Sequence, residues 1–277
     1  MPLPRKHSAF LAGLVLVTGA TLGAGLWPES SPAGADPAAC ARQLSAPPGD
    51  AGTSLASEFE VLSWNLQKAS QTDWRRDLAS LGEGIELTFL QEATTEAAIA
   101  DVLPGRAGTA FAPGYESENL HTGVMTLSQV APLVECDLQT MEPWLGTPKA
   151  MAVTQYPLAG RDERLLAINI HAVNFALGLE DYQGQLAQLD ALLNSHGGPA
   201  VVAGDFNTWR QARQLALLEL MQRHGLRGLD FEPDHRSTFL GQAVDHIFIR
   251  GLEASAPRAV PVTSSDHNPL LVSLRLP

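Results

Sequence analysis

The chain has 277 residues, 45% hydrophobic and 17% charged, with a formal net charge of −12. That balance supports one large globular domain with a sizeable core and excludes a disordered or low-complexity chain. Two cysteines, Cys40 and Cys136, lack the spacing of a zinc site.

Arg5, Lys6 and His7 precede an apolar run from Ala9 to Leu26, and Ala33-Gly34-Ala35 forms a small-x-small site before Asp36. This is the anatomy of a secretory signal peptide over residues 1–35, with an uncleaved membrane anchor as the alternative. By either route the domain is expected to be exported, periplasmic or secreted. Cys40 follows Ala38-Ala39, but it lies too far past the apolar run for a lipoprotein box. Removing Arg5, Lys6 and Glu29 with the leader leaves 16 Lys+Arg against 29 Asp+Glu, a net of −13. Such a surface repels polyanions, unless a bound divalent cation reverses the sign locally. In an oxidising compartment the two cysteines could pair or stay separate thiols, and the sequence leaves both open.

Residues 36–57 lie in a stretch rich in Ala, Pro, Gly and Ser and read as a flexible linker. Residues 58–277 read as one domain of alternating strands and helices. Strands are expected over 60–65, 85–91, 123–128, 150–156, 165–171, 201–204, 244–249 and 270–274. Helices are expected around Trp74–Leu81, from Thr94 or Thr95 to Leu103, around Leu186–Leu193, and over Gln211–His224, closed by Gly225. This mixture suggests sheets packed face to face with helices outside, an α/β sandwich of four layers.

The polar residues gather at strand ends. Asn65 ends the first strand and Glu92 the second; His171 ends a third. Asp205 and Asn207 follow the strand 201–204, Asp245 opens the next, and Asp266-His267 precede the last. Each alone is explained by turn chemistry. As a set of carboxylates, carboxamides and imidazoles they suggest a site on one sheet rim. If the carboxylates converge, their repulsion is relieved by a divalent cation, and oxygen donors suit Mg²⁺ or Mn²⁺. Such an ion suits phosphoryl oxygens.

Seven motifs in order then resemble the endonuclease/exonuclease/phosphatase superfamily. They are Ser63-Trp64-Asn65, Phe89-Leu90-Gln91-Glu92, Gly123 to Ser128, Asn169-Ile170-His171, Gly204-Asp205-Phe206-Asn207, Val244 to Phe248, and Ser265-Asp266-His267. Asn169 to Phe175 and Asp266 to Val272 look most like its YafD-like branch. The resemblance implies a four-layered sandwich of two mixed sheets flanked by helices. It also implies roles: Glu92 and Asn65 hold one or two metal ions, and Asp266 completes that site. Asp205 orients or deprotonates the attacking water, and Asn207 steers the water and a phosphate oxygen. His267, held by Asp245, contacts the phosphate. His171 assists the phosphate or the leaving oxygen, whose proton could come from His171, His267 or a water of the metal.

Other residues have plainer readings. His246 faces away from Asp245 by strand alternation. Asn174 reads as a local turn residue, Asn119 and His121 as a solvated loop, and Trp209 and Met125 as packing. Gln129 stands where the family often carries a basic residue after Ser128, which weakens anion binding on that strand. The expected substrate is a phosphate ester, with nucleic acid slightly ahead of a phospholipid head group or a small soluble ester. Against nucleic acid stands the acidic surface; against lipid, no exposed amphipathic or aromatic hairpin is legible. A non-catalytic binding module on the same fold is the alternative from another class. No partner protein is evident, and a monomer is expected.

Overall fold

The computed structural model describes residues 36–47, 52–143, 146–176 and 178–277. The expected leader over residues 1–35 lies outside them. The described residues form one compact unit. In chain order its elements are α1 (Pro37–Ser45), β1 (Glu58–Asn65), α2 (Trp74–Gly82), β2 (Leu87–Thr94), β3 (Gly108–Ser117) and β4 (Leu120–Ser128). Then come β5 (Val134–Met141), β6 (Pro148–Pro157), β7 (Arg164–His171), α3 (Glu180–Asn194), β8 (Ala200–Asp205) and α4 (Gln211–Arg223). The chain closes with β9 (Arg227–Gly228), β10 (Thr238–Phe239), β11 (Gln242–Ala243), β12 (Asp245–Arg250), β13 (Glu253–Ala259) and β14 (Leu270–Arg275).

Two six-stranded mixed sheets result, ordered β13-β14-β1-β2-β4-β3 and β5-β6-β7-β8-β12-β9. Their central strands are apolar on both faces, because each sheet is covered twice. Val61, Phe89, Ala167, Val201, Ile247 and Val272 belong to the core between the sheets. On the outer face of the second sheet, Ile168 and Val202 pack with Leu189 and Leu193 of α3 and Leu217 of α4. Outside the first sheet, Leu62 and Leu90 pack with Trp74 and Leu78 of α2. The four layers expected from sequence are therefore present.

Strands β3, β5 and β13 and the short β9, β10 and β11 were not expected, and two further segments take another form than expected. Pro37–Ser45, read as linker, is helical: Asp36 caps it by accepting from the Ala38 N–H, and Cys40 and Leu44 are buried. It is held by a disulfide between Cys40 and Cys136 of β5, with Cα atoms 5.9 Å apart. Cutting this bridge, as in Cys136→Ser, is expected to cost about 2–4 kcal/mol, because it closes a long loop in the unfolded chain. Urea unfolding with and without reductant measures that loss, and equal midpoints would remove the bridge from the stability of the domain. The helix expected after Thr94 is also absent. Thr94 instead pairs with Thr122 of β4. A left-handed Ala98 (φ 46°) then leaves only a short 3₁₀ turn, Ile99–Val102.

Candidate active site

Topology collects the polar strand ends on one rim. Parallel β7 and β8 set His171 beside Asp205, and antiparallel β12 sets Asp245 on its other side. Gly204 makes that approach possible: at φ 142°, a Cβ there would lie 2.0 Å from the Ile170 carbonyl oxygen. Antiparallel β1 and β14 bring Asn65 to the segment that carries His267. Trp64 Nε1 donates to the His267 carbonyl at 2.8 Å. Ser265 Oγ donates to the Asn65 carbonyl at 2.7 Å and accepts from the His267 N–H at 3.1 Å. These bonds explain why Trp64 and Ser265 sit inside the motifs.

The two sheets are clamped behind the site. Gln91 Nε2 donates to Asn169 Oδ1 at 2.7 Å, and Asn169 Nδ2 donates to the Met125 carbonyl at 3.0 Å. In β2 an irregularity between Leu90 and Ala93 coincides with a left-handed Glu92 (φ 48°), and it turns this carboxylate out of the core. Asn207 is left-handed as well (φ 49°). Such strain at two site residues is retained where neighbours fix the backbone.

Asp205 is the hub. Its Oδ1 accepts from the Asn207 N–H at 2.9 Å, and its Oδ2 accepts from Asn65 Nδ2 at 3.1 Å. His171 Nε2 lies 3.5 Å and His267 Nε2 3.9 Å from Oδ2. Burial pushes the Asp205 carboxyl up to about 6, helped by Asp245 and opposed by His267. Burial alone would lower His267, but Asp245, whose Oδ2 is 2.8 Å from Nδ1, raises it to about 10. His267 is therefore an imidazolium at neutral pH.

His171 is held well below its usual range by burial, then by Lys149, His267 and Lys68. Lys149 Nζ is 3.0 Å from His171 Nε2. An ammonium only donates, so Nε2 accepts and the neutral ring carries its proton on Nδ1. His171 thus has no Nε2 proton to give to a leaving oxygen, and the nearby ammonium of Lys149 has one.

A cleft of about 380 Å³ opens beside these groups, lined by Glu92, His171, Lys68, Lys149, Tyr115 and Phe175 among others. Lys68 Nζ is 3.1 Å from Glu92 Oε2. Sequence reasoning missed both lysines. The signal was there: the chain has only three lysines, and two of them line this cleft. Glu142 was missed too; its buried carboxylate accepts from the Asn174 and Phe175 N–H groups and braces that wall.

Among the described residues, the carboxylate–imidazole group that closes to within 4.8 Å is Asp205, Asp245 and His267. Two of these already use their atoms on each other, so this trio reads better as a hub with a His–carboxylate pair than as a metal cage. Glu92 and Asp266, expected with Asn65 to hold a metal, stand outside that trio. Asp266 is exposed and accepts a long hydrogen bond from Ser265 Oγ, at 3.5 Å. Asn65 Oδ1 accepts from the Gln67 N–H at 3.0 Å, and Glu92 already draws an ammonium. The Glu92 and Asp266 carboxylates and the Asn65 amide oxygen are hard donors, beside a buried carboxyl that burial raises. That set fits a hard divalent cation.

Of the residues set aside from sequence, Asn174 lines the cleft, while His246 and His121 are engaged elsewhere. His246 is paired with Thr208 and Arg236, and burial followed by Arg236 lowers it to about 3. His121 bonds Glu96, and Trp209 Nε1 donates to Asn174 Oδ1 at 2.8 Å. Asn207, expected to steer the attacking water and a phosphate oxygen, donates its Nδ2 to the Ala172 carbonyl at 2.9 Å and braces the exit of β7.

Residues 62–267 match the Endonuclease/Exonuclease/phosphatase family. A UPF0294 protein of Vibrio vulnificus is 38% identical over 221 residues, spanning 79% of this chain and 78% of that protein. An endonuclease/exonuclease/phosphatase from Beutenbergia cavernae superposes with a TM-score of 0.64 at 17% identity, covering 79% of this chain and 72% of that one. A mannosyl-6-phosphatase from Bacteroides thetaiotaomicron superposes with a TM-score of 0.58 at 17% identity, over 78% and 99% of the two chains. At such identities the two structures share the fold alone. With the family's motifs in order on one rim and a match across most of its length, the chain belongs to the endonuclease/exonuclease/phosphatase family, alongside the UPF0294 proteins.

Proposed function

We propose that this protein is an exported, divalent-metal-dependent phosphoesterase that hydrolyses a phosphate ester with an activated water. The observation that carries this reading is the buried Asp205 carboxyl, 3.9 Å from the ring of His267, which Asp245 holds at 2.8 Å from its other side. Above about pH 6 the Asp205 carboxylate accepts a proton from the attacking water. The Asn207 N–H and Asn65 amide hold its two oxygens in place. His267 sets positive charge against the phosphoryl oxygens, and the Lys149–His171 pair adds a second cation. Asn65 and Glu92 would hold the divalent ion, with Asp266 on the exposed side. When bound, Mg²⁺ or Mn²⁺ neutralises phosphoryl charge.

The family's breadth leaves nucleic acid, lipid head groups and small esters as substrate classes. The cleft's lysines, Lys68 and Lys149, do not extend into a row of cations for a long polyanion. Export is supported by the charged and apolar leader and by the Cys40–Cys136 bridge, which persists in oxidising compartments. The test is turnover of bis-(p-nitrophenyl) phosphate, plasmid DNA and phosphatidylcholine vesicles with Mg²⁺ or Mn²⁺, with and without EDTA. EDTA-sensitive turnover of at least one is expected. Inactivity on all three would leave a binding module, and activity indifferent to EDTA would remove the metal.

A further inference from the structure

No exposed apolar hairpin is legible in the sequence, yet the structure has one. Strands β10 and β11 pair Thr238 with Ala243 and Phe239 with Gln242, leaving Leu240 and Gly241 as a two-residue tip. Both tip residues have positive φ, 50° and 78°, as a tight hairpin requires. Glycine and asparagine suit that position; leucine is strained there. The strained residue is also 73% exposed, and neighbouring Phe239 is 57% exposed. An apolar side chain that costs backbone strain and is held in water contributes nothing to folding.

The hairpin is tied to the site. Ser237 Oγ accepts from the N–H of Asn268, next to His267, at 2.8 Å, and β11 runs through Val244 into Asp245. The Phe239 ring meets Trp209 edge-on, with centroids 5.9 Å apart. Trp209 bonds Asn174, whose neighbour Phe175 is 56% exposed and lines the cleft. Phe239, Trp209 and Phe175 thus line a path from the hairpin tip to the cleft mouth, with the Arg210 and Arg213 guanidinium groups stacked on Trp209. The eight residues Ser237–Val244 carry no charge.

We propose that this hairpin docks the protein on a zwitterionic phospholipid surface, with Phe239 and Leu240 entering the boundary between head groups and acyl chains. Trp209 and Phe175 then lie at the head-group level, where aromatic rings settle. Resting on the phosphoesterase reading above, the ester presented to Asp205 and His267 is a phospholipid head group. Charge selects this occupant. A net of −13 without the leader repels both polyanions and anionic bilayers, whereas an uncharged tip suits a neutral surface. Among the described residues no helix is long and apolar enough to cross a membrane. Two inserted side chains give weak, reversible binding, and the apolar run Ala9–Leu26, if retained, is the second signal that stable anchoring needs.

The experiment sediments residues 36–277, which contain the core clusters and the disulfide, with phosphatidylcholine vesicles. Leu240→Asn is the main variant, because asparagine fits the left-handed tip and keeps the hairpin folded, as an unchanged or raised melting temperature would verify. Its vesicle partition coefficient is expected to fall about tenfold, and Phe239→Ser with Leu240→Asn to abolish sedimentation, both at low and high salt. Wild-type protein that stays in solution, or Leu240→Asn that sediments like wild type, would overturn the proposal. So would a Leu240→Asn variant that instead loses self-association by light scattering or loses single-stranded DNA binding. Wild-type turnover of bis-(p-nitrophenyl) phosphate tests the hydrolase reading separately. Docking with that turnover but without lipid cleavage would overturn the head-group assignment alone.

Discussion

Asp205→Asn is expected to lower turnover by about 10²–10³ while leaving the metal-free protein at least as stable at neutral pH. The amide keeps an acceptor for the Asn207 N–H but cannot take a proton from water. The stability half follows from the carboxyl's environment. Its folded value, about 6, lies above the ordinary 3.8. A raised value means that the group's favourable contribution is complete below about 4 and is lost as pH rises through about 6. Above that, the ionised Asp205 destabilises the fold by roughly 2–3 kcal/mol, and the amide removes this penalty. Urea midpoints of the metal-free proteins at pH 4 and 7.5 check the sign: wild type should lose more than Asp205→Asn across that interval. A variant both inactive and strongly destabilised at pH 7.5 would mean that the carboxylate is a structural anchor.

Asp245→Asn addresses the other half of the site. Its carboxylate is what raises His267 against burial. With an amide at 245, the imidazolium loses its partner, and its titration should move from about 10 toward or below 6.5. Turnover at pH 7.5 should fall by about 10²–10³, and the alkaline limb of the pH–rate profile should move acidward by two units or more. In wild type the profile should rise through about pH 6 as Asp205 ionises and decline only near 10 as His267 discharges. An unchanged alkaline limb in Asp245→Asn would assign that limb to another group.

Much of the site was legible because its residues terminate apolar runs. Asn65, His171 and Asp205 each end a strand whose burial the sequence announces; the register of β7 on β8 sets His171 beside Asp205, and the packing of the two sheets brings Asn65 to the same carboxylate. What was illegible depends on tertiary placement. Lys149 lies one residue outside the strand expected from Ala150, and only pairing with Thr140 draws it into β6. The ring nitrogen that His171 offers is decided by that lysine. Thr94 and Thr95 look like helix caps, but the sheet claims Thr94 through β4. Pro37–Ser45 resembles the linker around it in composition, and its burial becomes apparent only with Cys136 in place. The Phe239–Leu240 tip belongs to two-residue strands, too short for any alternation to register.

The most direct measurement is kcat for bis-(p-nitrophenyl) phosphate with Mn²⁺, for wild type, Asp205→Ala, His267→Ala and Leu215→Ser, the last altering an exposed residue of α4 that ends no strand. Metal-dependent turnover that falls at least a hundredfold in the first two variants and persists in the third is the predicted result. Turnover that survives Asp205→Ala and His267→Ala with wild-type rates would contradict the assignment of the chemistry to the strand-end rim.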